Sequence, residues 1–343
     1  MHISDYDYEL PAELIAQEPL AEREASRMLV VDRGNASLTD NRFTELPRFL
    51  RGGDVLVLNN TKVFPARLLG HTETGANIEI FLVKEVGDHT WEALARPARR
   101  LKPGKKLVFG DALTADVVDR SSDGQVFVRF DGHGDLEARL DEVGRTPLPP
   151  YIKRDALDAD KDRERYQTVF ASQRGAIAAP TAGLHFTPEV LDKIKATGVE
   201  IAEITLHVGY GTFEPVRVTD LARHSVSAES YEIDAATVDR LKRARRDKDR
   251  IVAIGTTTTR ALEANLSEFK GFTAGQYSAN LTIRPGYQFK AIDALLTNFH
   301  LPQSSLLVLT STFGGHELIM GAYRHAVAER YRFYSYGDCM LIV

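Results

Sequence analysis

Arg250-Ile251-Val252-Ala253-Ile254-Gly255-Thr256, running directly into Thr257-Thr258-Thr259-Arg260, decides the fold class. Four consecutive apolar residues rich in β-branching suit a strand buried on both faces, and such strands belong to sheets covered by helices on either side. The strand breaks at Gly255, and helical spacing follows over Arg260–Ser267. The same texture recurs on either side of this stretch. Strands are predicted at Asp54–Asn60, Val199–Val208, Arg250–Thr256 and Ser305–Phe313, and helices at Pro188–Thr197, Ala235–Lys248, Arg260–Ser267 and His316–Tyr331. The first helix is punctuated at both ends, by Thr187 as N-cap, Pro188 at the first helical position and Gly198 just past the end. In the last, Leu318, Ile319, Ala322, Tyr323, Ala326 and Val327 form a stripe of period 3.6. The chain therefore reads as α/β, a mostly parallel or mixed sheet with flanking helices.

A different texture interrupts it. Short strand signals at Ala66–Gly70, Asn77–Val86, Thr90–Arg96, Lys106–Phe109, Leu113–Val118 and Gln125–Phe130 are separated by turn pairs such as Pro103-Gly104 and Asp123-Gly124, and only Leu136–Val143 looks helical. Close, even spacing of short strands predicts a small β-barrel or sandwich, closed off by the stiff run Pro147-Leu148-Pro149-Pro150. The expected organisation is a discontinuous α/β domain, residues 1–62 and 150–343, with a β domain inserted at 63–149.

Composition narrows the function. The 343 residues are 43 % hydrophobic and 27 % charged, which excludes a disordered or fibrous chain. The apolar runs are too short to span a bilayer and the N-terminus lacks the features of a secretory signal, so the expected location is cytoplasmic. The single cysteine, Cys339, forms no internal disulfide. A net charge of −5 argues against wholesale wrapping of nucleic acid, yet Arg96–Lys106 carries six cations in eleven residues and no acid, as a phosphate-contacting loop requires. The basic run Lys242–Arg250 is diluted by aspartates and reads as a solvated helix face.

Four segments carry chemistry, each with a structural alternative. Gly175–Thr187 joins a strand-like run to a helix through small residues, Thr181, His185 and Phe186; it is either a ligand loop or tight packing before a cap. Thr205–Phe213 ends a strand, and Gly209, Gly211, Thr212 and Phe213 make either a ligand loop or a turn. Four threonines after Gly255 exceed what capping needs, so Gly255, Thr256, Thr257 and Arg260 point to a binding site. Thr297–Pro302 offers His300, a residue type that is also common as a structural hydrogen-bonding group. His185, His207, His224 and His300 lack paired metal-ligand spacing, and no metal is expected.

With these segments in view, the sequence resembles the S-adenosylmethionine:tRNA ribosyltransferase-isomerases of queuosine biosynthesis. The likeness begins at Asp7–Pro11 and Leu14–Pro19, and continues through Arg23-Glu24-Ala25-Ser26-Arg27, Leu58–Val63 and Pro65-Ala66-Arg67. It is strongest at Ala178–Thr187, Leu206–Phe213, Gly255–Arg260, Pro285-Gly286-Tyr287, Thr297–Pro302 and Arg332–Asp338. The chain departs from the pattern at Ser227, where a second histidine is common, at Thr258-Thr259, and along Leu281–Arg284. The resemblance implies an α/β domain with an inserted β-barrel. It also implies transfer of the ribosyl portion of S-adenosylmethionine to 7-aminomethyl-7-deazaguanine at the tRNA wobble position, giving epoxyqueuosine with release of adenine and methionine. S-adenosylmethionine is then a co-substrate, no cofactor is bound permanently, and the expected partners are tRNA and this co-substrate, with no membrane and a monomeric enzyme.

Such chemistry needs a base for the C5′ hydrogen that the sulfonium acidifies, and His185, His207, His300 and Glu229 are the candidates. Thr181, Phe186, Gly209, Gly211, Thr212, Phe213, Gly255, Thr256, Thr257 and Arg260 are the expected co-substrate contacts, and Arg67, Arg96, Arg99, Arg100 and Lys102 the expected tRNA contacts. Two rivals are a methyltransferase using the same co-substrate, which would yield S-adenosylhomocysteine, and a tRNA-binding protein without activity, which would release no adenine.

Overall fold

The computed structural model describes residues 1–111, 113–121, 124–132, 134–154, 161–209, 216 and 218–343. In chain order the first elements are β1 (Arg27–Asp32), β2 (Ser37–Arg42), β3 (Val55–Asn59), β4 (Thr61–Val63), β5 (Arg67–Thr72), β6 (Asn77–Gly87), β7 (Thr90–Arg96), β8 (Lys106–Phe109), β9 (Leu113–Arg120), β10 (Val126–Phe130), α1 (Leu136–Val143) and α2 (Lys161–Arg165). There follow β11 (Gln173–Ala176), α3 (Pro188–Ala196), β12 (Glu200–Leu206), β13 (Glu229–Ile233), α4 (Ala235–Asp247), β14 (Ile251–Ile254), α5 (Thr256–Phe269), β15 (Gly275–Ala279), β16 (Ala294–Asn298), α6 (Ser305–Gly314), α7 (His316–Ala328) and β17 (Cys339–Ile342).

Among the described residues, nine strands form one mixed sheet in the order β15-β13-β12-β3-β14-β16-β17-β1-β2. Its centre is parallel: β3 pairs with β12 on one side and β14 on the other, with Val57 opposite both Ala202 and Ala253, and β14 pairs with β16. Every residue of β3, β14, β16 and β17 is buried, because helices and loops cover both faces. One face packs Val57, Ala253 and Leu295 against α4, α5, α6 and α7, and the other packs Leu56, Val252 and Leu296 against α3 and the N-terminal turns.

The apolar run Ser305–Phe313 is not a strand. It is the helix α6, started by Ser304, whose hydroxyl accepts the Leu307 amide at 3.2 Å. Thr310 and Thr312 donate back to the carbonyls of Leu306 and Val308. A helix buried on most sides is apolar on most sides, so its sequence mimics a buried strand. The sheet position falls instead to Ala294–Asn298. Helix α5 also starts four residues before the expected Arg260, because Thr258 and Thr259 satisfy their hydroxyls on the carbonyls four residues back, at 2.7 and 3.1 Å.

The six short strands β5–β10 close into a barrel in the order β10-β7-β6-β5-β8-β9. Alternate residues point inward, as Ile78, Ile80 and Leu82 do on β6, and α1 plugs one end with Leu136 and Leu140. The chain leaves for the barrel along β4 and returns along β11. These two strands pair in parallel, Thr61 opposite Gln173 and Lys62 opposite Arg174, with an irregularity at Gly175.

Candidate active site

A cleft of about 1190 Å³ separates the barrel from the ends of the central strands. The barrel wall contributes Lys84, Glu85, Trp91 and Glu92; the sheet wall contributes His207, Gly209, Glu229, Thr256, Thr257 and Arg260. His207 and Thr256 directly follow the carboxyl ends of β12 and β14, the edge at which open α/β sheets bind ligands. Six of the residues predicted as site residues thus meet in one place.

Thr256 opens α5. The residue before it, Gly255, takes a φ of +92° that an L side chain rarely adopts, and it supplies no side-chain cap. The first amides of α5 therefore carry the positive end of the helix dipole without a capping side chain, flanked by the Thr256 and Thr257 hydroxyls. Four residues on, Arg260 is buried, paired to Glu229 and donating to the carbonyls of Ser227 (3.1 Å) and Ala279 (3.2 Å). Its guanidinium thus holds the wall together. Glu229 in turn accepts the Gly209 amide at 3.2 Å, tying the loop after β12 to β13.

His207 is half-buried in the cleft wall, its Nδ1 2.8 Å from the Thr61 hydroxyl of β4. Desolvation by burial lowers its pKa from the ordinary 6.5, so the neutral ring dominates at pH 7. The ring lies flat against β11: a Cβ built on Gly175 would fall 2.7 Å from Cε1, which is why glycine, at φ +150°, stands there. A second imidazole, His224, also reaches the cleft, with Nε2 2.8 Å from the Ser305 hydroxyl at the start of α6. Sequence reasoning passed over this pair. Reading Ser304-Ser305 as a helix start would have placed a hydroxyl at that N-terminus.

Comparison with known proteins settles the family. A family model described as "Queuosine biosynthesis protein" matches residues 3–342. Proteins named S-adenosylmethionine:tRNA ribosyltransferase-isomerase match end to end, 48 % identical in Syntrophotalea carbinolica with all of both chains covered, and 49 % in Syntrophomonas wolfei with 99 % of this chain and 97 % of that one. The chain belongs to the queuosine biosynthesis protein family. A crystal structure of S-adenosylmethionine tRNA ribosyltransferase from Thermotoga maritima, 38 % identical, superposes with a TM-score of 0.56 over 99 % of this chain and all of that one.

The family-like motifs do not all converge on the cleft. His185 is buried, Nδ1 2.8 Å from the Ser26 hydroxyl and Nε2 3.3 Å from Asn298 Oδ1, and burial lowers its pKa to about 4. His300 is buried among Thr297, Thr310 and the Tyr323 hydroxyl, its pKa lowered to about 3 by the same cause. Neither lines the cleft, because each ring is drawn into buried hydrogen-bonding contacts elsewhere. Phe186 is fully buried against Phe43 and Phe170, with no face left for a base. Thr181 begins a 3₁₀ turn away from the cleft wall. Gly211, Thr212 and Phe213 lie outside the described residues. The cleft's aromatic surface is instead Phe64, Trp91 and Tyr334.

On the barrel, Arg96, Arg99, Arg100 and Lys102 are exposed around a 3₁₀ turn at Ala98–Arg100, with no salt-bridge partner among the described residues. Arg67 differs: both its Nε and Nη2 are engaged by Glu79 at 3.1 Å. Trp91 and Arg96 are five residues apart on β7, so the basic loop starts about 17 Å along the strand from the cleft. Among the described residues no three His, Cys, Asp or Glu side chains gather as metal ligands would, and no helix is long and apolar enough to cross a membrane.

Proposed function

We propose that this chain transfers the ribosyl portion of S-adenosylmethionine to the aminomethyl group of 7-aminomethyl-7-deazaguanine at the tRNA wobble position and isomerises the sugar. The product is epoxyqueuosine; adenine and methionine leave. The observation that carries this reading is the end-to-end match to relatives bearing that enzyme name, with 100 % of both chains covered. The cleft supports the residue roles. It is large enough for a nucleoside with a splayed base, and a wobble base comes from a single-stranded loop whose bases can be extruded.

Within it, His207 is the base. A sulfonium acidifies the adjacent C5′ hydrogen, and the neutral imidazole takes it through Nε2, which has no hydrogen-bond partner among the described residues, while Thr61 holds Nδ1 and fixes the tautomer. Loss of the proton leaves an ylide with no net charge at sulfur and carbon, from which ring opening and adenine loss follow. The open N-terminus of α5, with Thr256 and Thr257, receives the methionine carboxylate. Glu229, its charge balanced by Arg260, keeps the Gly209 loop in place. Trp91 and Tyr334 offer ring faces to the bases. Arg96, Arg99, Arg100 and Lys102 hold neighbouring phosphates. The enzyme works in the cytoplasm, as a monomer, and needs no metal.

Mass spectrometry of tRNA and small molecules after incubation with S-adenosylmethionine tests this. Epoxyqueuosine, adenine and methionine are expected in equal amounts; S-adenosylhomocysteine with methylated tRNA would overturn it.

A further inference from the structure

A second, smaller recess lies behind the cleft, lined by Arg23, Ser26, Arg165, His185, Ser335 and Gly337. The chain at Tyr334–Ser335 separates the two, since Tyr334 faces the cleft and the next residue faces the recess. What distinguishes this place is positive charge without a close ion pair: the carboxylates of Glu164 and Asp338 act on Arg23 and Arg332 only from beyond salt-bridge distance. Arg23 donates to the carbonyls of Leu184 (3.3 Å) and Glu164 (3.0 Å), and Arg165 to those of Leu20 (2.6 Å) and Ala21 (3.0 Å). Neither has a carboxylate partner among the described residues.

The two buried acids nearby are committed elsewhere. Asp162 receives Arg154 at 2.6 Å and the Tyr336 hydroxyl at 2.6 Å; Asp338 receives the backbone amides of Arg27 and Arg332, both at 2.8 Å. Arg332 stands close enough to His185 for its charge to act on the ring, and its own Nη2 is taken by the Glu18 carbonyl. Three guanidinium groups thus crowd one neutral histidine. Two of their nitrogens, Arg165 Nε and Arg332 Nη1, are buried without a hydrogen-bond partner among the described residues.

Buried N–H groups on a cation are costly when unfilled, and like charges crowded together add to that cost. An oxyanion entering the recess offsets both terms at Arg23 and Arg165, which line it. We propose that this recess is a phosphate-binding site, in which Arg23 and Arg165 receive one non-bridging oxygen beside the Ser26 hydroxyl. The space inside is about 20 Å³, room for a single oxygen atom. The remainder of the phosphate stays at the surface. That suits a phosphodiester of a polymer better than a small metabolite that needs enclosure, and it rests on the tRNA reading above only for the identity of the polymer.

The test has two arms. In the first, tRNA affinity is measured across a salt series for the full chain and for Arg165→Gln and Arg23→Gln. Each lost single-strand phosphate contact flattens the log–log salt slope by about 0.7, so the Kd ratio between 0.2 and 0.05 M salt falls by roughly 2.6-fold per variant. In the second, inorganic phosphate is titrated against the unmodified chain while the ¹⁵N signal of the Arg165 Nε–H is followed, which needs no variant to fold. A flattened slope assigns the site to a tRNA phosphate. An unchanged slope with a saturable Nε–H shift assigns it to free phosphate. Unchanged slopes together with no shift overturn the proposal. Failure of the unmodified chain to bind tRNA at all would sink the functional reading and leave the second arm standing.

Discussion

Alanine at Gly175 puts a methyl group where the His207 ring now lies. The new Cβ would sit 2.7 Å from Cε1, 2.8 Å from Nδ1 and 2.9 Å from Nε2, whereas ordinary contact begins near 3.4 Å. The ring must therefore retreat by about 0.7 Å, away from β11. That displacement breaks or lengthens the 2.8 Å contact with Thr61 and carries Nε2 out of line for the proposed proton abstraction. Misplacement of a reacting group by about 1 Å costs on the order of 10²-fold, so Gly175→Ala should slow single-turnover adenine release by roughly 10–100-fold. His207→Ala, which deletes the proposed base, should slow it by about 10²–10⁴-fold. The decisive measurement is the double variant. If Gly175 acts through the imidazole, adding Gly175→Ala to His207→Ala changes the rate by less than about twofold. An alanine at φ +150° also strains the backbone by about 1–3 kcal/mol, so the assays belong well below the melting temperature of each variant. If the glycine substitution costs the same factor with and without His207, the reasoning is wrong.

Removing Arg260 leaves the buried Glu229 carboxylate unpaired; Arg260→Ala should lower unfolding free energy by about 3–5 kcal/mol in urea titrations. Stability should fall with acidification between pH 6.5 and 5. His185 binds its proton near pH 6.5 when unfolded but only near pH 4 when folded, so the unfolded chain takes up more protons in this window. The fully developed effect is on the order of 3 kcal/mol, and His185→Gln should flatten this limb of the urea-midpoint profile. The rate of adenine release should rise with pH through the range below 6.5 in which His207 deprotonates, and His207→Ala should lose that rise. Reversing Arg99 and Arg100 together to glutamate should flatten the tRNA salt slope by about 1.4, read from binding isotherms at several salt concentrations.

The barrel was legible because its signals are local. Alternation along Asn77–Val86 or Leu113–Val118, bounded by turn residues, identifies a strand without reference to anything distant, and each observed barrel strand begins within a residue of its expected start. Ser305–Phe313 was not legible, since a helix buried on most sides carries no period to betray it. The site was half legible. Residues at the carboxyl ends of β12 and β14 could be placed from the strand pattern alone, and His207, Thr256 and Thr257 indeed share one wall. His185 and His300 look equally catalytic in sequence, yet neither ring lines the cleft: His185 is held by Ser26, 159 residues away, and His300 lies among Thr297, Thr310 and Tyr323. Arg260, read as a substrate clamp, is likewise committed to Glu229, 31 residues earlier.

The side-by-side run of β4 and β11 bears on how so large a substrate can be coupled to so small an event. The polypeptide enters and leaves the barrel through these two adjacent threads, and the imidazole of His207 touches both, by hydrogen bond at Thr61 and by bare contact at Gly175. The ring therefore rests on both of the strands through which the barrel is joined to the sheet.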